Sequence, residues 1–185
     1  MRAAFKDWVV VVDALGRGDQ ILILRKGGIS EGKGGFTIAH KKFLLYPTLY
    51  HQQRELVVPA AQSRYDEIAP GFPPKETVRI ECVAEVIEWR EVVSLEVALR
   101  LRGQHIWLDQ VIEDRFEWGR DQKIFAIALR VSRLPSPVEF PMREEYGGCK
   151  SWIEFADEID VTVATPGLDD AAFAERLTAF QTALA

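Results

Sequence analysis

The chain has 185 residues, nearly half of them apolar, and a formal net charge of −5. That length suits one domain with a substantial core, and the acidic total excludes a histone-like, wholly basic nucleic-acid binder. The charge is uneven, however: residues 17–54 carry +5 and the remainder −10, and local charge decides whether a surface can meet phosphate.

Neither cysteine, Cys82 or Cys149, has a metal-ligand spacing or a place in a disulfide framework, and Cys82 reads as a small buried hydrophobe. Lys6 and Asp7 interrupt any signal-peptide pattern, and no apolar run approaches membrane-spanning length. A cytoplasmic location without membrane contact is expected.

From the N-terminus, Phe5, Trp8, Val9, Val12 and Leu15 recur at helical spacing, with Gly16 and Gly18 as stops. Residues 20–25 (QILILR) read as a short buried strand halted by Gly27-Gly28. Residues 30–35 are glycine-rich; 36–40 predict a second strand and 42–46 a third, ended by Pro47. Residues 50–57 begin a helix or run as an ordered loop. The proline-rich stretch 59–75 reads as a connection or flap, and it is the one plausible internal boundary. Residues 77–90 alternate as the clearest strand, with Val78, Ile80, Cys82, Ala84 and Val86 on one face. Ser94 suits the cap of a short helix through Leu101. Ile106–Leu108 and Phe116–Trp118 flank a turn-like acidic stretch. Residues 123–134 form another strong strand, stopped by Pro135 and Pro137, and 151–155 a last short one. Asp169 or Asp170 opens a final helix with Phe173, Leu177, Phe180 and Leu184 on one stripe. About six strands with helices at the ends predict an α+β fold, a small mixed or antiparallel barrel-like sheet flanked by N- and C-terminal helices. Residues 1–165 are expected to form the domain and 166–185 a helix packed on it.

Three constellations suit ligand binding. Arg25-Lys26-Gly27-Gly28 places two cations beside backbone that a ligand can approach closely, without the spacing of a Walker loop or dinucleotide fingerprint. Between His40 and Gln53, the set His40, Lys41, Lys42, Tyr46, Thr48, Tyr50, His51 and Gln52 offers cations, flat rings and hydrogen-bonding groups able to hold phosphate and read a planar base. Lys150 and Trp152, beside Gly147-Gly148, offer a third wall, and Cys149 next to Lys150 is a weak candidate for a lowered thiol pKa.

With three histidines, a His-rich metal site is not available. Asp109 or Asp114 with Asp121 and Lys123 imitates the acid-and-lysine set of a Mg²⁺-dependent nuclease. Such short matches arise readily by chance in a charged chain.

Residues 24–29 (LRKGGI) with Glu31, then 43–52, 128–131 (ALRV) and 146–154 together resemble a bacterial family catalogued as domain of unknown function 1802. That resemblance brings no activity with it. The segment Trp8–Lys26 and the late strand closing in RVSRLPSP are also similar to ASCH and other PUA-like domains. This second resemblance implies a small β-barrel with helices and RNA or modified-base binding. The chain departs from the ASCH opening, having Asp19-Gln20-Ile21-Leu22 where a Lys-Thr pair and a strand glutamate are usual. The expected function is nucleic-acid (RNA or DNA) or nucleotide binding in a basic, aromatic cleft. It is preferred to catalysis and needs no cofactor. A nuclease, or a module binding an acidic protein partner, is the alternative.

Overall fold

The structure, a computed structural model, describes residues 1–26, 40–148 and 150–185, with the backbone alone at His51. The expected Gly27-Gly28 turn, most of the 36–40 strand and Cys149 lie outside the described residues. Element order is β1 (Ala3–Trp8), α1 (Val9–Arg17), β2 (Leu22–Arg25), β3 (Lys42–Thr48), α2 (Pro59–Ile68), β4 (Thr77–Val92), α3 (Leu95–Leu99), α4 (Asp109–Glu117), β5 (Ile124–Pro141), β6 (Trp152–Glu154), β7 (Thr165–Pro166) and α5 (Asp170–Ala183). The strands make one mixed sheet in the order β2-β5-β4-β3-β1-β6, with β7 pairing on β5. Among the described residues, only the β1–β3 pairing is parallel. This is the mixed α+β architecture the sequence implies.

The sheet curls. β4 and β5 run beside each other for most of their length, interrupted where Leu134–Pro137 stand opposite Glu81 and where Ile87 is extra. Bulges of this kind bend and twist a long pair. They also correct one expectation: Pro135 and Pro137 do not stop the strand, because they occupy the bulge, where a missing N–H interrupts no ladder bond. Pro47 is tolerated likewise, since β4 pairs with β3 only as far as Leu45. The curl brings the two ends of the strand order together: Arg25, closing β2, donates from Nη2 to the Oγ of Ser151, just before β6, at 2.6 Å.

Two further expectations are corrected. The N-terminal helix begins only at Val9, and Ala3–Trp8 is a strand clamped between β3 and β6. Ala4 is buried in a small core with Leu44, Ile80, Tyr146 and Phe155, while Phe5 faces the main core on the other side. Tertiary pairing on both edges overrides local helical spacing. The stretches read as a flap and as an acidic turn both contain helices. Pro59 sits in the first turn of α2, where its missing N–H costs nothing, and α4 buries Val111, Ile112 and Phe116 beneath its acidic face. Residues 51–56 form a 3₁₀ helix.

The caps match their chemistry. Ser94 accepts from the Val97 N–H and Asp169 from the Ala172 N–H. Gly18, at φ 76°, closes α1 in the left-handed region. A side chain there would also strike Leu168 at 2.4 Å. α5 carries Phe180 into the main core.

Candidate functional site

The seam of the curled sheet gathers three charged side chains from three elements. Asp7, near the end of β1, is 7% exposed. Arg25 comes from the end of β2, and Arg115 rises from α4, donating from Nη1 to the Leu24 carbonyl at 3.0 Å. Each of the three feels the charge of the others: Arg25 and Arg115 pull on Asp7, and Asp7 on both. Among the described residues no ion pair within 4 Å joins Asp7 to either guanidinium; its Oδ1 accepts from the Trp8 N–H.

Electrostatics here run against the charged forms. Burial raises the Asp7 carboxyl above its usual range, and the pull of Arg25, then Arg115, then the Trp8 N–H bonded to its Oδ1 at 2.8 Å, only partly offsets it. Burial lowers Arg25, with Asp7 acting the other way. Arg115 is brought down to about 10, first by burial, opposed by Asp7 and reinforced by repulsion from Arg25. Two cations therefore stand beside a carboxyl whose charged form burial disfavours.

Aromatic rings wall it. The Arg25 guanidinium lies 4.7 Å from the Phe5 ring centre, and Arg115 lies 4.7 Å from that of Trp107 and 5.5 Å from that of Trp8. Trp152 packs edge-on against Phe5 and Phe43, both at 4.9 Å, and His40 approaches it at 5.1 Å. The register of β1 with β6, which pairs Phe5 with Trp152, fixes this arrangement.

The other expected residues fall in different places. Tyr46, Thr48 and Tyr50 line an open groove of about 540 Å³ with Phe72, Pro73 and Lys75. Its Tyr46 hydroxyl donates to the Met142 sulfur at 3.4 Å and is raised above its usual pKa, by burial first and by Tyr50 second. Thr48 Oγ1 donates to the Asp7 carbonyl at 3.0 Å, linking this groove to the seam. Lys26 is turned away, its Nζ donating to the Phe116 carbonyl at 2.6 Å and to the Asp121 carbonyl. Lys42, Gln52 and Lys150 are exposed outside the cluster. Gly27, Gly28 and the His51 side chain lie outside what is described.

Much of the basic strip is already matched by acids of the same chain: Arg17 by Asp13 and Asp19, Lys41 by Glu85, Arg54 by Asp66. Among the described residues no group of three or more His, Cys, Asp or Glu is placed to hold a metal, and Asp109 is held two-armed by Arg102. No helix there is long and apolar enough to cross a membrane.

The model of the family described as Domain of unknown function (DUF1802) matches residues 4–179. The chain belongs to that family. No curated protein matches this DUF1802 chain. Among solved structures, it is similar to ASCH from Zymomonas mobilis at 14% identity, covering 95% of this chain and 92% of that one, with a TM-score of 0.47. A serine-to-alanine variant of the same protein aligns at 15% identity over 96% and 94% of the two chains, with a TM-score of 0.43. A fold likeness of this order does not carry an activity with it.

Asp7 and Arg115 are the residues that sequence reasoning missed. Asp7 was noticeable as an acid inside an apolar run, and Arg115 as the one cation on the buried side of an acidic stretch.

Proposed function

We propose that this DUF1802 protein binds nucleic acid or a nucleotide at the seam, with Arg25 and Arg115 holding phosphate and the surrounding rings meeting a base. The observation that carries the reading is the placing of two guanidiniums near one buried carboxyl, with aromatic rings packed on both guanidiniums. Arginine presents a planar fork of donors that matches phosphate oxygens. Phe5, Phe43 and Trp107 are buried in the core, so the part-exposed Trp8 and Trp152 are the rings about the seam left to stack on a base, which favours strands whose bases are free over a closed duplex. The Asp7 carboxylate adds an acceptor for a base or ribose donor. The groove of Tyr46 and Tyr50, tied to the seam through Thr48, gives a neighbouring nucleotide a second surface.

Fluorescence anisotropy with labelled single-stranded RNA, single-stranded DNA and duplex tests the proposal. Expected are binding that falls as salt rises, preference for single strands, and loss on Arg115→Gln. Absent or salt-independent binding across all three sink it.

A further inference from the structure

A second cleft, separate from the seam, is bounded by α1, α2 and the bulge of the β4–β5 pair. We infer that it binds a small zwitterion, a free α-amino acid with an apolar side chain. Its volume of about 270 Å³ falls just under the roughly 300–1,000 Å³ of sites that take drug-sized molecules. Val9 and Val12 of α1, Ile68 of α2, and Phe72 and Pro73 beyond it give apolar walls, and the buried Cys82 adds a sulfur.

Into this apolar setting four elements bring three guanidiniums, Arg64, Arg79 and Arg133, and three carboxylates, Asp13, Glu67 and Glu81. Most of their hydrogen-bonding capacity is used internally. Arg64 donates through two nitrogens to both oxygens of Asp13, each at 2.9 Å, and through the third to Glu67 at 2.8 Å. Arg79 is held by Glu139 at 2.6 Å and by the Gly71 carbonyl at 2.9 Å. The pair at the bulge is less complete. Arg133 Nη2 donates to Glu81 Oε2 at 2.9 Å, which leaves Arg133 Nε and Nη1 and Glu81 Oε1 without a hydrogen-bond partner among the described residues. These two side chains are 40% and 36% exposed, so a ligand can reach them.

The cleft therefore offers guanidinium donors and a carboxylate acceptor next to each other, beside apolar walls. An α-amino acid carries the matching carboxylate and ammonium on a single carbon. Its carboxylate meets Arg133, its ammonium meets Glu81, and its side chain lies against Val9, Ile68 and Phe72. A ligand with only a negative charge would meet Glu81 and Glu67 as well as the arginines, and one with only a positive charge would meet the arginines as well as the acids. Each brings a like-charge juxtaposition that the zwitterion answers with its second group.

Calorimetry of the full chain with L-leucine and L-phenylalanine tests the inference. Three kinds of relative each lack one feature: the N-acetyl derivatives lack the cation, the amides lack the anion, and glycine lacks the apolar side chain. At least one of the two amino acids is expected to bind with a Kd of about 1 mM or tighter, and each of its relatives at least about tenfold more weakly. Arg133→Gln should move the preference between the two derivatives toward the amide, and Glu81→Gln toward the N-acetyl form, opposite shifts that a purely structural ion pair would not give. The Arg25→Gln/Arg115→Gln variant should keep amino-acid binding unchanged; its loss there places the ligand at the seam and overturns the inference. No binding of either amino acid to the unmodified protein up to about 10 mM overturns it too, as does binding of the N-acetyl derivative or the amide as tightly as the parent amino acid. These last two comparisons use the unmodified protein and stand whether or not the variants fold.

Discussion

Replacing Arg115 with methionine separates a binding role from a structural one, because the two predict different stability changes. In place, burial brings the guanidinium down from its usual range to about 10; at about 1.4 kcal/mol for each tenfold in an acid constant, the surroundings oppose its charge by roughly 3 kcal/mol. Against that stand the bond to the Leu24 carbonyl and the faces of Trp107 and Trp8, together worth about 2–3 kcal/mol. Methionine refills most of the volume with a pliable apolar chain and leaves Asp7 balanced by Arg25 alone. The two contributions nearly cancel, so urea unfolding should place Arg115→Met within about 1 kcal/mol of the parent, a shift of a few degrees in Tm at this size. Oligonucleotide affinity should meanwhile fall by about 10- to 100-fold, the cost of one charge-assisted phosphate contact. A stability loss of about 3 kcal/mol or more, the usual result of breaking a structural buried pair, refutes the reasoning and makes Arg115 a strut.

Other expectations follow from single contacts. Tyr50 is 59% exposed, so Tyr50→Ala should leave the unfolding midpoint unchanged while weakening single-strand binding by the ~1–3 kcal/mol of a stacked base. Burial works against the Asp13 charge, but the two-armed bond from Arg64, the Arg17 Nε at 3.0 Å and the charge of Arg133 together win and hold the carboxyl below its usual range. That stability is present above the ordinary carboxylate pKa and is lost as pH falls through the lowered one. Urea midpoints taken from about pH 6 down to about pH 2 should therefore decline less for Asp13→Asn than for the parent. Burial pushes the Cys82 thiol up to about 12, so Cys82 should resist alkylation in the folded protein and react on unfolding, as peptide mass mapping would show.

The long strands were legible in part because alternation is a local signal: both exist where their patterns put them, but β5 runs on to Pro141, and the bulge at Glu81 sends Val78 and Ile80 to the smaller core while Cys82, Ala84 and Val86 join the main one. The helical stripe of α5 and the caps at Ser94 and Asp169 were legible for the same reason. β1 was not, because its strand state comes from partners in β3 and β6, which are distant in sequence. α4 was hidden by its acids, although Val111, Ile112 and Phe116 already stood at helical spacing. The prolines of β5 misled because their cost depends on whether a ladder bond is required there, which only the bulge shows.

The candidate site was legible in part. Arg25 and Trp152 both lie against Phe5, with His40 against Trp152, and Tyr46, Thr48 and Tyr50 share a groove. Charge counting along the chain missed that Arg17, Lys41 and Arg54 would be matched by acids from elsewhere. It missed equally that Asp7 and Arg115 would complete the cluster, since only the curl of the sheet brings β1, β2 and α4 together.

The most direct test is a salt titration of single-stranded oligonucleotide binding to the parent and to the Arg25→Gln/Arg115→Gln double variant. The seam site predicts at least about tenfold weaker binding for the variant at low salt and a log–log slope shallower by about 0.7, one phosphate contact on a single strand. Identical affinity and slope for the two proteins would contradict it.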